Sequence, residues 1–113
     1  MSISKEHRKF IDKKRGEILA ELEEYLIEFR LPMAKEDVLL EVLNDTDDED
    51  SFEDLILYLM GHVDGDPELA QEFAMELYNF FPRESLNGMS YAETVSFEEL
   101  LKLDEEFEKF KNG

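Results

Sequence analysis

The chain of 113 residues contains no cysteine, three prolines and five glycines, and its largest shortage is of positive charge. The absence of cysteine excludes disulfides, thiolate metal sites and cysteine catalysis, and it leaves the redox compartment open. Residues 36–82 include no Lys or Arg, and these 47 residues carry fifteen carboxylates. Because such a stretch cannot neutralise itself through local ion pairs, it projects a negative field towards solvent or a cationic partner.

Long hydrophobic runs are also missing. Residues 1–16 contain charge but no apolar run, so neither a signal peptide nor a membrane span is predicted, and the expected location is cytoplasmic. The hydrophobic fraction of 42%, with nine Phe and four Tyr, indicates a folded core in spite of the formal charge of −18. The length suits a single domain over residues 1–113.

Helical periodicity dominates what is present. Apolar residues recur at steps of three, four and seven, and no segment alternates long enough to indicate a strand. Helices are predicted over about 4–29, 35–43, 52–63, 67–81, a short turn after Ser90, and a last helix from Ser96 to Phe110. The predicted fold class is therefore all-α, a single compact bundle of five or six helices. The core-facing residues predicted by these stripes are Ile11, Ile18, Leu19, Leu22, Tyr25, Leu26, Phe29, Val38, Leu39, Val42, Leu43, Phe52, Leu55, Ile56, Leu59, Met60, Val63, Leu69, Phe73, Leu77, Phe80 or Phe81, Leu100, Leu103, Phe107 and Phe110.

Polar residues at the predicted helix starts agree with this periodicity. Ser51 is predicted to cap the third helix, and Asp66, followed by Pro67, is predicted to cap the fourth. Ser90 and Ser96 are predicted to cap the last two helices.

The charge is polarised along the chain. Residues 1–15 carry six basic side chains against two acidic ones, whereas the other 98 residues carry 28 acidic against six basic. Two interpretations stay open: a solvated first helix, or a basic helix that docks on an acidic face of its own fold or of a second copy, which would give a homo-oligomer. Direct nucleic-acid binding is not predicted, because the larger acidic surface would repel phosphate.

The acidic segment 45–50 has a partial likeness to a calcium-binding loop. Asp45, Asp47 and Glu49 alternate as in an EF-hand. The sixth position holds Asp50 in place of the glycine that the turn requires, and the twelfth holds Ile56 in place of a bidentate Glu. The segment is therefore predicted to be a solvated acidic connection.

A second cluster of possible metal ligands consists of His62, Asp64 and Asp66. The helix signals explain Asp66 as an N-cap, and His62 suits the C-terminus of the preceding helix. No metal or cofactor is therefore predicted. The motifs G-x-S-x-G, H-E-x-x-H and a phosphate-binding glycine loop are absent from the sequence, so no enzyme activity is predicted. An enzyme or metal protein centred on His62 is therefore the least favoured function, behind an interaction module and a nucleic-acid mimic.

Residues 78–93 form the most specific string of the sequence. Pro82 stops a helix, Leu86 is predicted to plug the core beneath the loop, and Gly88 permits a left-handed turn. Ser90 and Glu93 form a capping box for the next helix. Arg83 is the basic residue that ends the long acidic stretch.

The pattern Y-N-x-x-P-R-x-x-L-x-G-x-S-x-x-E of these 16 residues resembles a helix-loop-helix segment of bacterial proteins that often carry a SEC-C metal-binding motif elsewhere. The chain departs from that pattern at Tyr91, where proline is usual, and it lacks the cysteine-rich motif. The resemblance implies a helical fold and no catalytic residue.

The predicted function is that of a non-catalytic acidic interaction module that binds a basic protein partner. Its predicted partner-binding residues are Asp45, Asp47, Asp48, Glu49, Asp50 and Arg83, with one small apolar patch formed by Met33, Met75 and Met89. The alternative is a nucleic-acid mimic that inhibits a DNA- or RNA-binding protein, using a row of carboxylates along the first helix at Glu17, Glu21, Glu24 and Glu28. The concentration of charge in residues 45–50 favours the interaction module.

Overall fold

The computed structural model describes residues 3–44, 50–61 and 65–112. Within these residues, the chain forms six α-helices and one 3-10 turn, and the only extended pairing is an isolated bridge between Arg83 and Met89. The helices are α1 (Lys5–Glu28), α2 (Lys35–Leu43), α3 (Ser51–Met60), α4 (Pro67–Phe80), α5 (Tyr91–Thr94) and α6 (Phe97–Asn112), and the 3-10 turn is Glu84–Leu86. The predicted all-α bundle of five or six helices is confirmed.

Three of the four predicted caps hold their helices as expected. Asp66 Oδ1 accepts from the backbone N–H groups of Glu68 and Leu69 at 2.9 and 3.2 Å. Ser90 and Glu93 form the predicted capping box at the start of α5, and Ser96 Oγ accepts from the N–H of Glu99 at 3.1 Å. These bonds satisfy N–H groups that a helix start otherwise leaves without partners.

The start of α3 differs from the prediction by one residue. Ser51 is the first helical residue, and Asp50 occupies the cap position without a side-chain hydrogen bond. Asp50 has a helical backbone conformation, with φ −90° and ψ −7°, whereas a capping side chain requires an extended one. The serine therefore lies inside the helix that it was predicted to cap.

The end of α1 is a Schellman motif. The N–H of Leu31 donates to Leu26 O at 2.9 Å, and the N–H of Arg30 donates to Ile27 O at 3.1 Å. Arg30 has a φ of +54° in the left-handed position that glycine usually occupies. Gly61 ends α3 with a φ of +53° and packs against Leu31, so the two helix ends meet.

Helix α4 lies at the centre of the bundle, where it packs against α1, α2, α3 and α5. Its small residues Ala70 and Ala74 are fully buried and allow this close approach. The core is closed by apolar side chains of all the helices around α4, including Ile11, Ile18, Leu22, Tyr25, Val38, Val42, Leu55, Leu59, Leu77, Phe80, Phe81, Ala92, Leu100 and Phe107.

Some predicted core residues lie at or outside the edge of this core. Eight of them are half-buried and pack against it: Leu19, Phe29, Leu39, Phe52, Ile56, Met60, Leu69 and Leu103. Phe73 and Leu86 are half-buried, and Leu43 and Phe110 are 39% and 57% exposed. Phe110 is displaced by about 80° around the helix from Leu100, and Leu43 by about 100° from Val42, which takes both beyond the buried stripe. Val63 lies outside the described residues.

The basic face of α1 contacts acidic residues of its own fold. Lys14 is buried and lies 2.9 Å from Asp104, and it lies 3.8 Å from both Glu76 and Glu108. Arg8 and Arg15 each approach Glu93 to 3.0 Å. The intramolecular form of the docking prediction is therefore correct for these three cations, while contact with a second copy stays a prediction.

Candidate functional site: an acidic cleft between α1, α4 and α6

A cleft of about 270 Å³ lies between α1, α4 and α6. Five carboxylates line it: Glu21, Glu24 and Glu28 from α1, and Glu72 and Glu76 from α4. Its apolar surface is formed by Tyr25, Leu69, Phe73 and Phe107. Among these lining residues, all of which belong to the described part of the chain, Lys111 of α6 is the one cation.

Helical spacing explains why the carboxylates converge. Glu21, Glu24 and Glu28 follow one another at steps of three and four, which places them one above the other on α1. Glu72 and Glu76 are related by a step of four on α4. Since α1 packs against α4, the two acidic rows border the same aromatic surface.

Tyr25 anchors the floor of the cleft. Its side-chain hydroxyl donates to Leu59 O at 2.7 Å and accepts from the N–H of Asp66 at 3.2 Å. Its ring packs on Phe73, with centroids 5.2 Å apart. Burial raises the pKa of the Tyr25 hydroxyl, so it stays a neutral hydrogen-bonding group at physiological pH. The floor is thus tied to both α3 and the start of α4.

Glu76 is the most buried carboxyl of the cleft, with 6% of its surface exposed. Burial raises its pKa to about 7, because the lost hydration outweighs the attraction of Lys14 and Lys111. The pKa of Glu72 is also raised, first by burial and then by Glu68 and Asp66, against the opposing effect of Lys111. A further cation in the cleft would therefore favour ionisation of both groups.

Lys111 occupies the edge of this cleft. Its ammonium lies 3.6 Å from a carboxylate oxygen of Glu21 and 6.0 Å from the centroid of the Phe107 ring. One amine thus combines an ion pair with a cation–π contact. The arrangement is chemically suited to hold a cation with an apolar stem.

The residues predicted to bind a partner lie elsewhere. Asp45, Asp47, Asp48 and Glu49 lie outside the described residues, and Asp50 is exposed beside the first turn of α3. The guanidinium of Arg83 lies 4.6 Å from the centroid of the Tyr78 ring, which itself packs on Phe52 of α3. The structure brings none of the described ones, Asp50 and Arg83, into the lining of the cleft.

Of the three candidate metal ligands, the structure describes only Asp66. His62 and Asp64 lie outside the described residues, whereas Asp66 is confirmed as the N-cap of α4. In the part of the chain that the structure describes, no three His, Asp or Glu side chains are grouped so that they could hold a metal ion.

The three methionines that were expected to form one apolar patch are separated. Met33 lies in a groove with Ile27 and Leu31 at the end of α1, while Met89 lies beside Ser4 and Lys5 at its start. The 24 residues of α1 span about 36 Å, so Met33 and Met89 cannot share a compact contact surface. Met75 is half-buried in α4.

Sequence reasoning found the α1 part of the acidic row but missed the cleft. The overlooked signal is a charged residue within each of two apolar stripes. Lys14 stands between Ile11 and Ile18, and Glu76 falls seven residues after Leu69, a step that returns to the same side of the helix. Two opposite charges at core positions predict a buried ion pair, which the structure contains.

Comparisons with protein-family models, with curated proteins and with solved structures gave no match. The resemblance of residues 78–93 to SEC-C-associated proteins stays a prediction. None of the described helices is both long and apolar enough to cross a lipid bilayer. The cytoplasmic location is a prediction from the sequence.

Proposed function

We propose that this chain is a non-catalytic acidic helical module that binds a basic protein partner. The observation that carries the proposal is the cleft, in which five carboxylates surround an aromatic surface and only one described cation lines the site. Complementary charge accelerates the encounter of two proteins, and burial of apolar surface stabilises the complex. The cleft offers both in one place.

The fate of the basic residues supports the same proposal. Lys14, Arg8 and Arg15 account for half of the six basic side chains in residues 1–15, and each contacts a carboxylate of its own fold. These three cations therefore neutralise carboxylates within the bundle and do not offset the acidic surface elsewhere. A net charge of −18 then favours approach of cationic partners.

The nucleic-acid mimic receives less support. Duplex phosphates recur about every 1.7 Å along the axis, so a mimic needs a long ridge of carboxylates. The row from Glu21 to Glu28 extends over only about 10 Å of helix. Glu17, at the start of the predicted row, lies 4.0 Å from Lys13, and the other three line a cleft rather than a ridge.

Capture of binding proteins at two salt concentrations tests the proposed function. The immobilised chain is incubated with a native lysate at about 50 mM salt and washed at about 500 mM, where screening is strong. The comparison uses Glu24→Gln with Glu28→Gln in the cleft, against Glu105→Gln with Glu106→Gln on the exposed face of α6. Both pairs change the net charge equally.

We expect the wild type and the α6 control variant to capture a basic protein at low salt and to release it at high salt. The cleft variant should fail to capture this protein. Equal retention by both variants would contradict a role for the cleft. Competition by added duplex DNA for the captured protein would favour the mimic instead, because a mimic occupies a nucleic-acid-binding surface.

The predicted acidic segment is tested separately with the purified partner. Neutralising Asp47, Asp48, Glu49 and Asp50 together should slow association and flatten its salt dependence, with little change in dissociation. An unchanged association rate and salt slope would assign that segment to solubility alone.

A further inference from the structure

The cleft already contains one lysine ammonium, and the contacts of that ammonium indicate what else fits there. Lys111 Nζ lies between Glu21, at 3.6 Å, and the Phe107 ring, at 6.0 Å from the centroid. Lys109, two residues earlier on α6, instead pairs with Glu105 on the solvent side, where 75% of its side chain is exposed. Two neighbouring lysines thus have different surroundings, and only one of them contacts the cleft.

The cleft is incompletely neutralised by its own lysines. Lys111 approaches Glu21 at 3.6 Å, and the buried Lys14 lies 3.8 Å from Glu76. Within the described residues, no ion pair reaches Glu24 or Glu28, and Lys111 acts on Glu72 without forming a close ion pair with it. The site therefore retains negative charge around an apolar floor, which attracts a further cation or a replacement for Lys111.

The shape of the site favours a lysine over an arginine. Carboxylates line the cleft from two helices, α1 and α4, so a compact ammonium can approach several of them, whereas a guanidinium pairs best with the two oxygens of one carboxylate. The four-carbon stem of a lysine can lie along Leu69 and Phe107 while its ammonium stays among the carboxylates. The ring of Phe107 adds a cation–π contact.

We propose that the cleft binds a lysine side chain of a basic protein partner, which takes the place of Lys111 against Phe107 and Glu21. The inference rests on the proposed function and adds to it the residue that the partner contributes. Lys111 is then an internal competitor, which lowers affinity for the partner until it is displaced. Loss of this competitor should tighten binding about two- to tenfold, the range that one exposed ion pair with a cation–π contact represents.

Charge-matched variants test this competition with a defined probe. Fluorescein-labelled decalysine is titrated with the full chain at about 50 mM salt, and anisotropy gives the dissociation constant. Lys111→Gln and Lys109→Gln remove the same charge from the same helix, but only the first empties the cleft. Glu72→Gln tests the acidic wall, and Glu105→Gln is its control on the exposed face.

The expected result has three parts. Lys111→Gln binds decalysine about two- to tenfold more tightly than Lys109→Gln does, Glu72→Gln binds more weakly than Glu105→Gln, and side-chain acetylation of the probe abolishes these differences. Ring resonances of Phe107 and Phe73 should shift on titration, a readout that a purely long-range attraction would not produce. Thermal melts of every variant confirm that each is folded at the titration temperature.

Other outcomes overturn the inference in distinguishable ways. If decalysine bound in a salt-sensitive way but with equal dissociation constants for the matched variants, the lysine site would be rejected and the proposed function would still stand. Absence of any salt-sensitive binding to decalysine would remove both. Tighter binding of deca-arginine than of decalysine would reject lysine as the occupant, and tighter binding of spermidine than of the peptide would replace the protein lysine with a free polyamine.

Discussion

At the scale of single residues, the buried charges Lys14 and Glu76 govern how the fold responds to pH. Burial by itself lowers the pKa of Lys14, but its 2.9 Å ion pair with Asp104 and the nearby Glu76 and Glu108 raise the pKa above its ordinary value. Burial raises the pKa of Glu76 to about 7 in spite of Lys14. The lysine is thus cationic throughout the physiological range, whereas the carboxyl changes its protonation near neutrality.

Glu76→Gln should remove the loss of stability that the wild-type protein undergoes when Glu76 ionises near neutral pH. The folded chain holds the proton of Glu76 more tightly than the unfolded chain does, because the pKa of Glu76 is raised from about 4.5 to about 7. The resulting stabilisation is complete below about pH 4.5 and is lost as the pH rises towards about 7. Because glutamine does not titrate, the free energy of unfolding of the variant should rise relative to wild type by about 1–3 kcal/mol between pH 4.5 and 8. Urea unfolding across this pH range measures the difference, with exposed Glu105→Gln as the control. Parallel pH curves for Glu76→Gln and wild type would show that Glu76 is not the titrating group.

Arg30 and Gly61 form a second pair of informative residues, since both adopt left-handed backbone conformations at helix ends. Arg30→Gly should stabilise the fold by about 0.5–1 kcal/mol, because glycine adopts a positive φ without the steric cost that a Cβ imposes. Gly61→Ala should destabilise the fold by about 1–3 kcal/mol for two reasons. The new Cβ would clash with Leu31 Cδ2, and alanine would have to adopt the positive φ of Gly61, which is strained for a residue with a Cβ. Thermal unfolding checks both signs, and a destabilised Arg30→Gly would assign the arginine side chain a structural role.

At the scale of elements, the short helix α5 packs against α4 and also makes polar contacts with α1. Glu93 accepts from Arg8 and Arg15 at 3.0 Å and from the N–H of Ser90 at 3.0 Å. His7 donates from Nε2 to Ala92 O at 2.8 Å and stacks on Phe97. Four residues of helix alone would not be stable, so packing on α4 and these contacts with α1 together hold the segment in place.

Glu93→Gln should therefore weaken the attachment of α5 and the resistance of the fold to acid. Burial alone would raise the pKa of Glu93, but the Ser90 backbone, Arg8, the Ser90 hydroxyl and Arg15 together lower it to about 2. The resulting stabilisation is present above about 4.5 and is lost as pH falls towards 2. The variant should lose about 2–3 kcal/mol at pH 7, and the loss should shrink below pH 4.

Denaturant unfolding at pH 7 and pH 3 measures this effect, with Glu106→Gln as the exposed control. A loss in Glu93→Gln that stays constant across the two pH values would mean that the ionised carboxylate contributes nothing beyond a neutral hydrogen bond.

At the scale of the whole molecule, the net charge of −18 opposes compaction. Each described cation of α1 that docks inside the fold relieves this repulsion locally, but residues 36–82 have no such partners within their own sequence. The melting temperature should therefore rise as salt increases from low to physiological ionic strength, where screening acts beyond about 8 Å. A steady fall over the same range would show that the ion pairs of Lys14 and Glu93 outweigh the net repulsion.

Much of the fold could be predicted because local signals repeat along the chain. The apolar stripes of α1 and α4 and the caps at Asp66, Ser90 and Ser96 each act within about four residues, so they can be read without knowing the partners. Errors occurred where burial depended on neighbours. Phe73, Leu86 and Phe110 have the right residue type for a core, but the packed helices leave them half-buried or exposed.

The sequence by itself determined the helices, their caps and the excess of negative charge, because these follow from residue type and spacing. Only the tertiary structure decided which charges face one another. It brought Glu72 and Glu76 into the same cleft as Glu21, Glu24 and Glu28, and it placed both Lys14 and Lys111 near enough to Glu76 to lower its pKa. Electrostatic energy and pKa depend on distance and burial, which helix packing sets between residues far apart in the chain, and so the cleft could not be predicted from local patterns.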